Sequence, residues 1–175
     1  EEHAFEDCVS LELNKGLPVD LKTIGISAFA GCQSLKLHDG LPKGLENIND
    51  ETFSGCTSLV INHLPESILK IGEKAFFSCP ELMLDGLPGG LHIIGDSAFY
   101  GCKKVVIKHL PASIETIGDS AFYGCENLML KRLPEGLHTI GDSAFYGCEK
   151  VYAKKALRAQ ILAINRKAFV PKIST

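Results

Sequence analysis

The stretch IGDSAFYGC, residues 94–102, occurs again at 117–125 and at 140–148, each copy beginning 23 residues after the one before. Altered copies continue the series on both sides: AFEDC (4–8), IGISAFAGC (24–32), INDETFSGC (48–56), IGEKAFFSC (71–79) and INRKAFVPK (164–172). Self-similarity with a fixed period of about 20–50 residues is typical of stacked repeat units. The sequence therefore predicts a solenoid in which one short unit recurs along an axis.

The composition is that of a folded, soluble chain without strong charge. Of 175 residues, 45% are hydrophobic and 22% are charged, and the net charge is −3. This balance differs from that of disordered proteins and gives no electrostatic reason to expect nucleic acid as a partner. No apolar run approaches the ~18 residues that would span a bilayer, so we expect no membrane insertion. Because the chain opens inside a repeat, with EEHAFEDC, we expect it to be part of a longer protein.

The cysteines follow the same period, one in each repeat. They show no C-x-x-C pair and no histidine at the spacing of a zinc site, so they do not predict a metal centre. Free cysteine is among the most buried residue types, which favours a column of small, reduced, inward-facing thiols. The members of this column are Cys8, Cys32, Cys56, Cys79, Cys102, Cys125 and Cys148.

Residues 110–132, LPASIETIGDSAFYGCENLMLKR, illustrate one coil. Gly118 is expected to supply the positive φ of a tight bend, and Asp119 to cap a short helical turn over SAFYGC. Gly124 would let that turn end. The segment LML at 128–130 alternates apolar positions as a strand does, and we predict the strand there.

Equivalent apolar positions from successive coils are expected to stack as buried columns, because a single coil of this size cannot bury its own apolar face. One column is the first position of the predicted strand: Leu11, Leu35, Leu59, Leu82, Val105, Leu128 and Val151. Another is aromatic: Phe5, Phe29, Phe53, Phe76, Phe99, Phe122, Phe145 and Phe169.

The segment LPEGLHTIGDSAFYGCEKV at 133–151 resembles the BspA-type leucine-rich repeat, L-P-x-x-L-x-x-I-G-x-x-A-F-x-x-C-x-x-L, almost position for position. After the cysteine this chain has L-x-L-x-x-L-P, where the family more often has L-x-x-I-x-I-P. The resemblance implies a right-handed leucine-rich-repeat β-solenoid with short strands and one short helical turn per coil. It also implies a secreted or cell-surface protein with a role in adhesion and protein binding, with a cytoplasmic location as the alternative.

We expect one solenoid domain over residues 1–175. It would open with a half coil (1–16), continue through six full coils (17–40, 41–63, 64–86, 87–109, 110–132 and 133–156), and close with a degenerate terminal coil (157–175). The tail around this terminal coil is rich in basic residues, which is expected where a terminal repeat must face water. They are Lys154, Lys155, Arg158, Arg166, Lys167 and Lys172.

The candidate binding surface is the set of outward positions, since inward positions serve the fold. The middle residues of the predicted strands form a concave apolar stripe: Val60, Met83, Val106, Met129 and Tyr152. Beside it lies a basic flank: Lys108, His109, Lys131, Arg132, Lys154 and Lys155. Exposed apolar patches often mark interaction sites, and the basic flank would attract an acidic partner. We expect a protein ligand, such as a host or matrix protein, with a sulfated glycan as another candidate.

Simpler interpretations of these columns stay open. Strand propensity or a covering module would explain the stripe, and a solvated face would explain the flank. Helix capping explains the acidic column Asp50, Glu73, Asp96, Asp119 and Asp142 more simply than a calcium site does. Packing between coils explains the aromatic ridge of Phe77, Tyr100, Tyr123 and Tyr146. His92, Glu115 and His138 share a column, but no pocket is expected there.

The sequence contains no phosphate loop, catalytic triad or zinc spacing. We therefore expect a non-enzymatic binding module without a cofactor. The alternative is a purely structural solenoid, which would act as a spacer or as a self-assembling segment of a larger surface protein.

Overall fold

The protein is described here from a computed structural model, which covers residues 1–13, 15–37 and 39–171. Five two-residue strands form one parallel sheet: β1 (Asn47–Ile48), β2 (Lys70–Ile71), β3 (Ile93–Ile94), β4 (Thr116–Ile117) and β5 (Thr139–Ile140). They pair in the order β1-β2-β3-β4-β5, and each isoleucine at the end of a strand lies opposite the next one. These isoleucines are buried, so the sheet closes one side of a continuous apolar core. This architecture confirms the predicted leucine-rich-repeat solenoid.

The position predicted for the strand is wrong. In the coil 110–132 the paired strand is Thr116–Ile117, and the segment 128–130 has no strand assignment. The alternation itself is correct, because Leu128 and Leu130 are buried while Met129 is exposed. Alternation shows which side chains face the core, whereas a strand also needs the regular pattern of backbone hydrogen bonds that a parallel ladder has.

The turn that carries SAFYGC is a ladder of β-turns and not the predicted helical turn. Its alternate N–H groups leave the coil: those of Ser120, Phe122 and Gly124 donate to carbonyls of the following coil at 2.8, 2.9 and 2.8 Å. The N–H groups between them bond within the coil, as from Tyr123 to the Ser120 carbonyl at 3.0 Å. Ser120 has φ 54° and Gly124 has φ 69°, which interrupts any helix. Gly124 thus takes a positive φ at the end of the turn, where the sequence predicted that the turn ends.

Gly118 has a different role from the predicted one, because its φ is not positive. A Cβ at this position would lie 2.2 Å from Asp96 Oδ1 and 2.6 Å from Asp96 N in the preceding coil. Asp119 also serves the contact between coils: its Oδ1 accepts the backbone N–H of Asp142 at 2.8 Å, and its own N–H donates to Asp96 Oδ1 at 2.9 Å. Glycine is therefore needed for close approach, and the aspartate links coils instead of capping its own turn.

The phenylalanines form the predicted stack. Ring centroids of Phe99 and Phe122 are 5.3 Å apart, and those of Phe122 and Phe145 are 5.7 Å apart, with nearly parallel planes. All rings from Phe29 to Phe145 are buried. Phe5, which belongs to the predicted half coil, differs because it is 42% exposed and stacks only on Phe29.

Six of the seven cysteines are buried, as expected, and each of their thiols donates to the phenylalanine carbonyl of the preceding coil at 3.0 Å. Thus Cys125 Sγ donates to the Phe99 carbonyl, which also accepts the N–H of Cys102 at 3.1 Å. All seven thiols are free. Cys8 departs from the prediction because it is exposed. The column is therefore a series of hydrogen bonds between coils as well as an apolar filling.

The repeat gives way to helices near the C-terminus, where α1 spans Glu149–Tyr152 and α2 spans Lys155–Ile164. The predicted strand position Val151 is buried, but on α1. Leu157 and Ile161 of α2, four residues apart, face the core. The terminal coil is thus largely helical, and Lys172 of the predicted basic tail lies outside the described residues. Within the described chain, no helix has the length and apolar character needed to cross a membrane.

Candidate functional site

Met83, Val106 and Met129 of the apolar stripe lie on adjoining segments of successive coils, and Val60 holds the equivalent position one repeat earlier in the sequence. The N–H of Val106 donates to the Leu84 carbonyl at 2.8 Å, and that of Met129 donates to the Ile107 carbonyl at 3.2 Å. Met83 is 45% exposed and Met129 is 36% exposed, whereas Val60 and Val106 are half-buried. The stripe therefore exists as an exposed surface, but it lies outside the five-stranded sheet.

Tyr152 ends the stripe from a different element, since it is the last residue of α1. Its ring is 52% exposed and contacts the Phe169 ring edge-on, with centroids 5.4 Å apart. The guanidinium of Arg158 lies 4.5 Å from the centre of the same ring. These two contacts hold the ring in place while leaving much of it accessible.

The basic flank is exposed along its whole length. The N–H of Lys131 donates to the Lys108 carbonyl at 3.0 Å, so these two lysines lie on paired segments of adjacent coils. Lys154 Nζ donates to the carbonyls of Met129 (3.3 Å) and Leu130 (2.8 Å), so its ammonium group is fixed at the end of the stripe. A groove of about 670 Å³ is lined by His109, Arg132 and Glu135, among others. The flank is therefore basic, with one carboxylate at its edge.

The sheet carries a second exposed apolar pair, which the sequence interpretation missed. Leu69, just before β2, is 45% exposed, and Ile93, the first residue of β3, is 39% exposed. His92 Nδ1 lies 3.4 Å from Glu115 Oε1 on the same face. The recurring pair of isoleucine and glycine, with asparagine in place of glycine after Ile48 and Ile164, was the signal that could have located this strand. Because the strand was predicted at L-x-L, Leu69 and Ile93 were interpreted as ordinary surface positions.

The polar columns do not assemble catalytic or metal-binding groups. Only the pair His92 and Glu115 comes together from the predicted histidine column, since His138 Nδ1 is 3.3 Å from Thr139 Oγ1 instead. Within residues 1–13, 15–37 and 39–171, no group of three or more His, Cys, Asp or Glu side chains could hold a metal ion. Burial raises the pKa of Cys102 and of Cys148 to about 12, so these thiols stay protonated. A protonated thiol is a poor nucleophile.

The aromatic ridge has the predicted packing role. Centroids are 4.9 Å apart between Phe77 and Tyr100, 4.5 Å between Tyr100 and Tyr123, and 4.8 Å between Tyr123 and Tyr146. All four rings are half-buried. Burial raises the pKa of Tyr123, and the neighbouring tyrosines raise it further.

Known proteins share both this sequence pattern and this fold. A family model described as BspA type leucine rich repeat region matches six copies, over residues 1–129 and 92–172. A leucine rich repeat protein of T. pallidum is 33% identical, with a TM-score of 0.78 over 94% of this chain and 75% of that one. A leucine-rich repeat protein from Bacteroides ovatus is 27% identical, with a TM-score of 0.67 over 84% and 44% of the two chains.

A more distant structure shows a likeness in fold alone. It is a leucine rich cell surface protein from Faecalibacterium prausnitzii, 22% identical, with a TM-score of 0.50 over 85% of this chain and 55% of that one. None of the curated protein sequences matches this chain.

Proposed function

Because this chain belongs to the BspA-type leucine-rich repeat family, we propose that it is a non-enzymatic protein-binding and adhesion module. Members of this family are generally binding or structural modules and are typically surface proteins. We place the protein outside the cell or on its surface. The expected partner is another protein, such as a host or matrix protein, and a sulfated glycan is the second class of ligand.

The observation that carries the proposal is the exposed apolar stripe from Val60 to Tyr152. Methionine is unbranched and adaptable, so Met83 and Met129 suit a surface that binds more than one shape. Tyrosine is enriched among interface hot spots, and the ring of Tyr152 is half exposed yet held by Phe169 and Arg158. The strongest contact is therefore proposed at the Met129–Tyr152 end.

The basic flank would act mainly on the rate of association. Charges at the rim of an interface steer encounter and lose their effect as salt is added, whereas buried apolar contacts set the lifetime of the complex. Lys131, Arg132 and Lys155 are exposed beside the Met129–Tyr152 end. Added salt is therefore expected to slow association with an acidic partner and to leave dissociation nearly unchanged.

The test is a double substitution, Met129→Ser with Tyr152→Ser, measured against a panel of matrix proteins and heparin by surface plasmon resonance. If both side chains are central, affinity should fall by ~2 kcal/mol or more, about thirtyfold. The matched control is Leu69→Ser with Ile93→Ser, which removes a similarly exposed apolar pair from the sheet face. Circular dichroism should show both variants folded.

Unchanged affinity in the folded stripe variant would mean that the stripe is not the site. A loss seen only in the control would move the site to the sheet face. If no ligand bound any variant, the structural-spacer function would take its place. The continuous phenylalanine stack and the thiol hydrogen bonds between coils favour that second function, because they suit a stiff rod.

A further inference from the structure

The aromatic ridge stops at Tyr146. Within the ridge, each tyrosine ring stacks on the ring of a neighbouring coil, down to Tyr123 on Tyr146 at 4.8 Å. The next position in the same turn is Val170, whose N–H donates to the Lys167 carbonyl at 3.0 Å, as that of Tyr146 does to Ser143. Valine has no ring, and within the part of the chain that the structure describes no other ring covers the far face of Tyr146.

The backbone ladder stops at the same place. Gly101 and Gly124 each donate an N–H to a tyrosine carbonyl of the following coil at 2.8 Å. The equivalent donor is Gly147, and it has no acceptor among residues 1–13, 15–37 and 39–171. The Val170 carbonyl, which would accept it by repeat register, instead accepts the hydroxyl of Ser143 at 2.6 Å. One backbone donor of the turn is thus left for water.

An open cleft of about 380 Å³ lies at this position, lined by Tyr146, Gly147, Tyr152 and Phe169, among others. We call these four residues the aromatic slot. Phe169 opens it, because its ring stands 6.1 Å from Phe145 and is tilted by 38°, whereas the interior pair Phe99 and Phe122 is 5.3 Å apart and tilted by only 8°.

We propose that the aromatic slot binds an aromatic turn from another polypeptide. A tyrosine or phenylalanine ring of that turn stacks on Tyr146, and a backbone carbonyl beside it accepts the Gly147 N–H. The chain itself shows that the two contacts go together, because the Tyr123 ring stacks on Tyr146 while the N–H of the adjacent Gly124 donates to the Tyr146 carbonyl at 2.8 Å. Offset stacking and strand-like addition of backbone hydrogen bonds are both established modes of recognition.

This proposal does not depend on the function proposed for the stripe. The slot lies at the C-terminal end of the ridge and shares only Tyr152 with the stripe. The test therefore leaves Tyr152 unchanged and includes Met83→Ser, a stripe variant remote from the slot. Binding at the slot should be the same in Met83→Ser and in the unchanged protein.

The probe is the chain's own nonapeptide IGDSAFYGC with its cysteine replaced by serine, titrated into the ¹⁵N-labelled full chain. We expect the Gly147 amide resonance to move downfield, with a Kd on the order of 1 mM. The same peptide with alanine in place of tyrosine should bind at least about fivefold more weakly, because the stacked ring is lost. Equal binding of the two peptides would overturn the proposal.

Val170→Tyr supplies the missing ring within the chain and should abolish peptide binding, while Val170→Ser should retain it. Val170 is exposed, so neither change should disturb the core. Undiminished binding by Val170→Tyr would also overturn the proposal. Equally tight binding of N-acetyltyrosinamide would overturn it too, because the slot would then be a site for free aromatic rings. A Gly147 shift that depends on protein concentration in the absence of peptide would also overturn it, because the occupant would then be a second copy of this chain.

Discussion

Substituting Gly118 by alanine should destabilise the solenoid because it forces two coils apart. The added Cβ would lie 2.6 Å from the backbone nitrogen of Asp96, where ordinary contact begins at 3.4 Å. The coils must therefore separate locally by about 0.8 Å. That movement would stretch the bond from the Gly118 N–H to the Ile94 carbonyl, now 2.9 Å, beyond hydrogen-bonding range.

The size of the effect follows from what is lost. The bond from the Asp119 N–H to Asp96 Oδ1, now 2.9 Å, lies beside the first and should weaken with it. Each bond contributes ~0.5–1.5 kcal/mol, and overpacking costs ~1–3 kcal/mol more. The free energy of unfolding should fall by ~2–6 kcal/mol. For a chain of this size, each kcal/mol corresponds to a Tm shift of ~2–4 °C.

Urea unfolding followed by circular dichroism measures this change, with Gly136→Ala as the matched control. A Cβ at Gly136 would meet its nearest atom, the Ala112 carbonyl oxygen, at 3.4 Å, and its φ is not positive. That substitution should be neutral or stabilise by up to ~1 kcal/mol, because alanine restricts the unfolded chain. If Gly118→Ala unfolded at the same urea concentration as Gly136→Ala, close approach would not be the reason for glycine in this column.

Three further predictions concern the core columns. Only Cys8 should react rapidly with a thiol reagent in the native protein, whereas all seven should react in denaturant; fast labelling of a second thiol would contradict the described burial. The pKa values of Cys102 and Cys148 rise from 9.0 to about 12 on folding, so the contribution of these two thiols to stability should be constant below pH 9 and should fall as the pH rises towards 12. Replacing Cys102 and Cys148 by alanine should make the decline of the urea midpoint with pH less steep. An unchanged slope would show that these two thiols do not cause the decline. Phe122→Ala should cost ~3–5 kcal/mol, whereas Phe5→Ala, on a half-exposed ring with one aromatic neighbour, should cost less than half as much in the same assay.

The columns could be predicted because stacking demands the same residue type at the same position. Phe99, Phe122 and Phe145 can lie at about 5.5 Å only if each coil repeats its neighbour's path. The position of the strand was harder to predict from the sequence than the columns were. Both L-x-L and the segment before I-G contain inward and outward residues, and pairing depends on how closely the backbones approach. The glycine column around Gly118 carried that information, but glycine was interpreted as a bend.

Met83, Met129 and Tyr152 of the stripe are exposed as predicted, but Val60 and Val106 are half-buried. The stripe also lies outside the paired sheet, and Tyr152 lies on α1. Residues 155–164, KALRAQILAI, contain good helix formers and neither glycine nor proline, so a local signal for α2 was present. The prediction followed the 23-residue repeat into this segment instead of that helix signal. The aromatic slot could not be inferred, because a valine at position 170 reveals a missing ring but not the space left beside Tyr146.

The turn ladder gives the array a direction. Across each boundary between coils, the N–H groups of the earlier turn meet the carbonyls of the later one, as from Phe122 to Ala144, and the order is never reversed among the described turns. In this turn ladder every coil therefore presents donors to the coil that follows and acceptors to the coil that precedes. A duplicated coil inserted in the same orientation would find a matching face on each side, so the chain can lengthen by copying a single unit of its gene. An inverted coil would set donor against donor in the turn ladder.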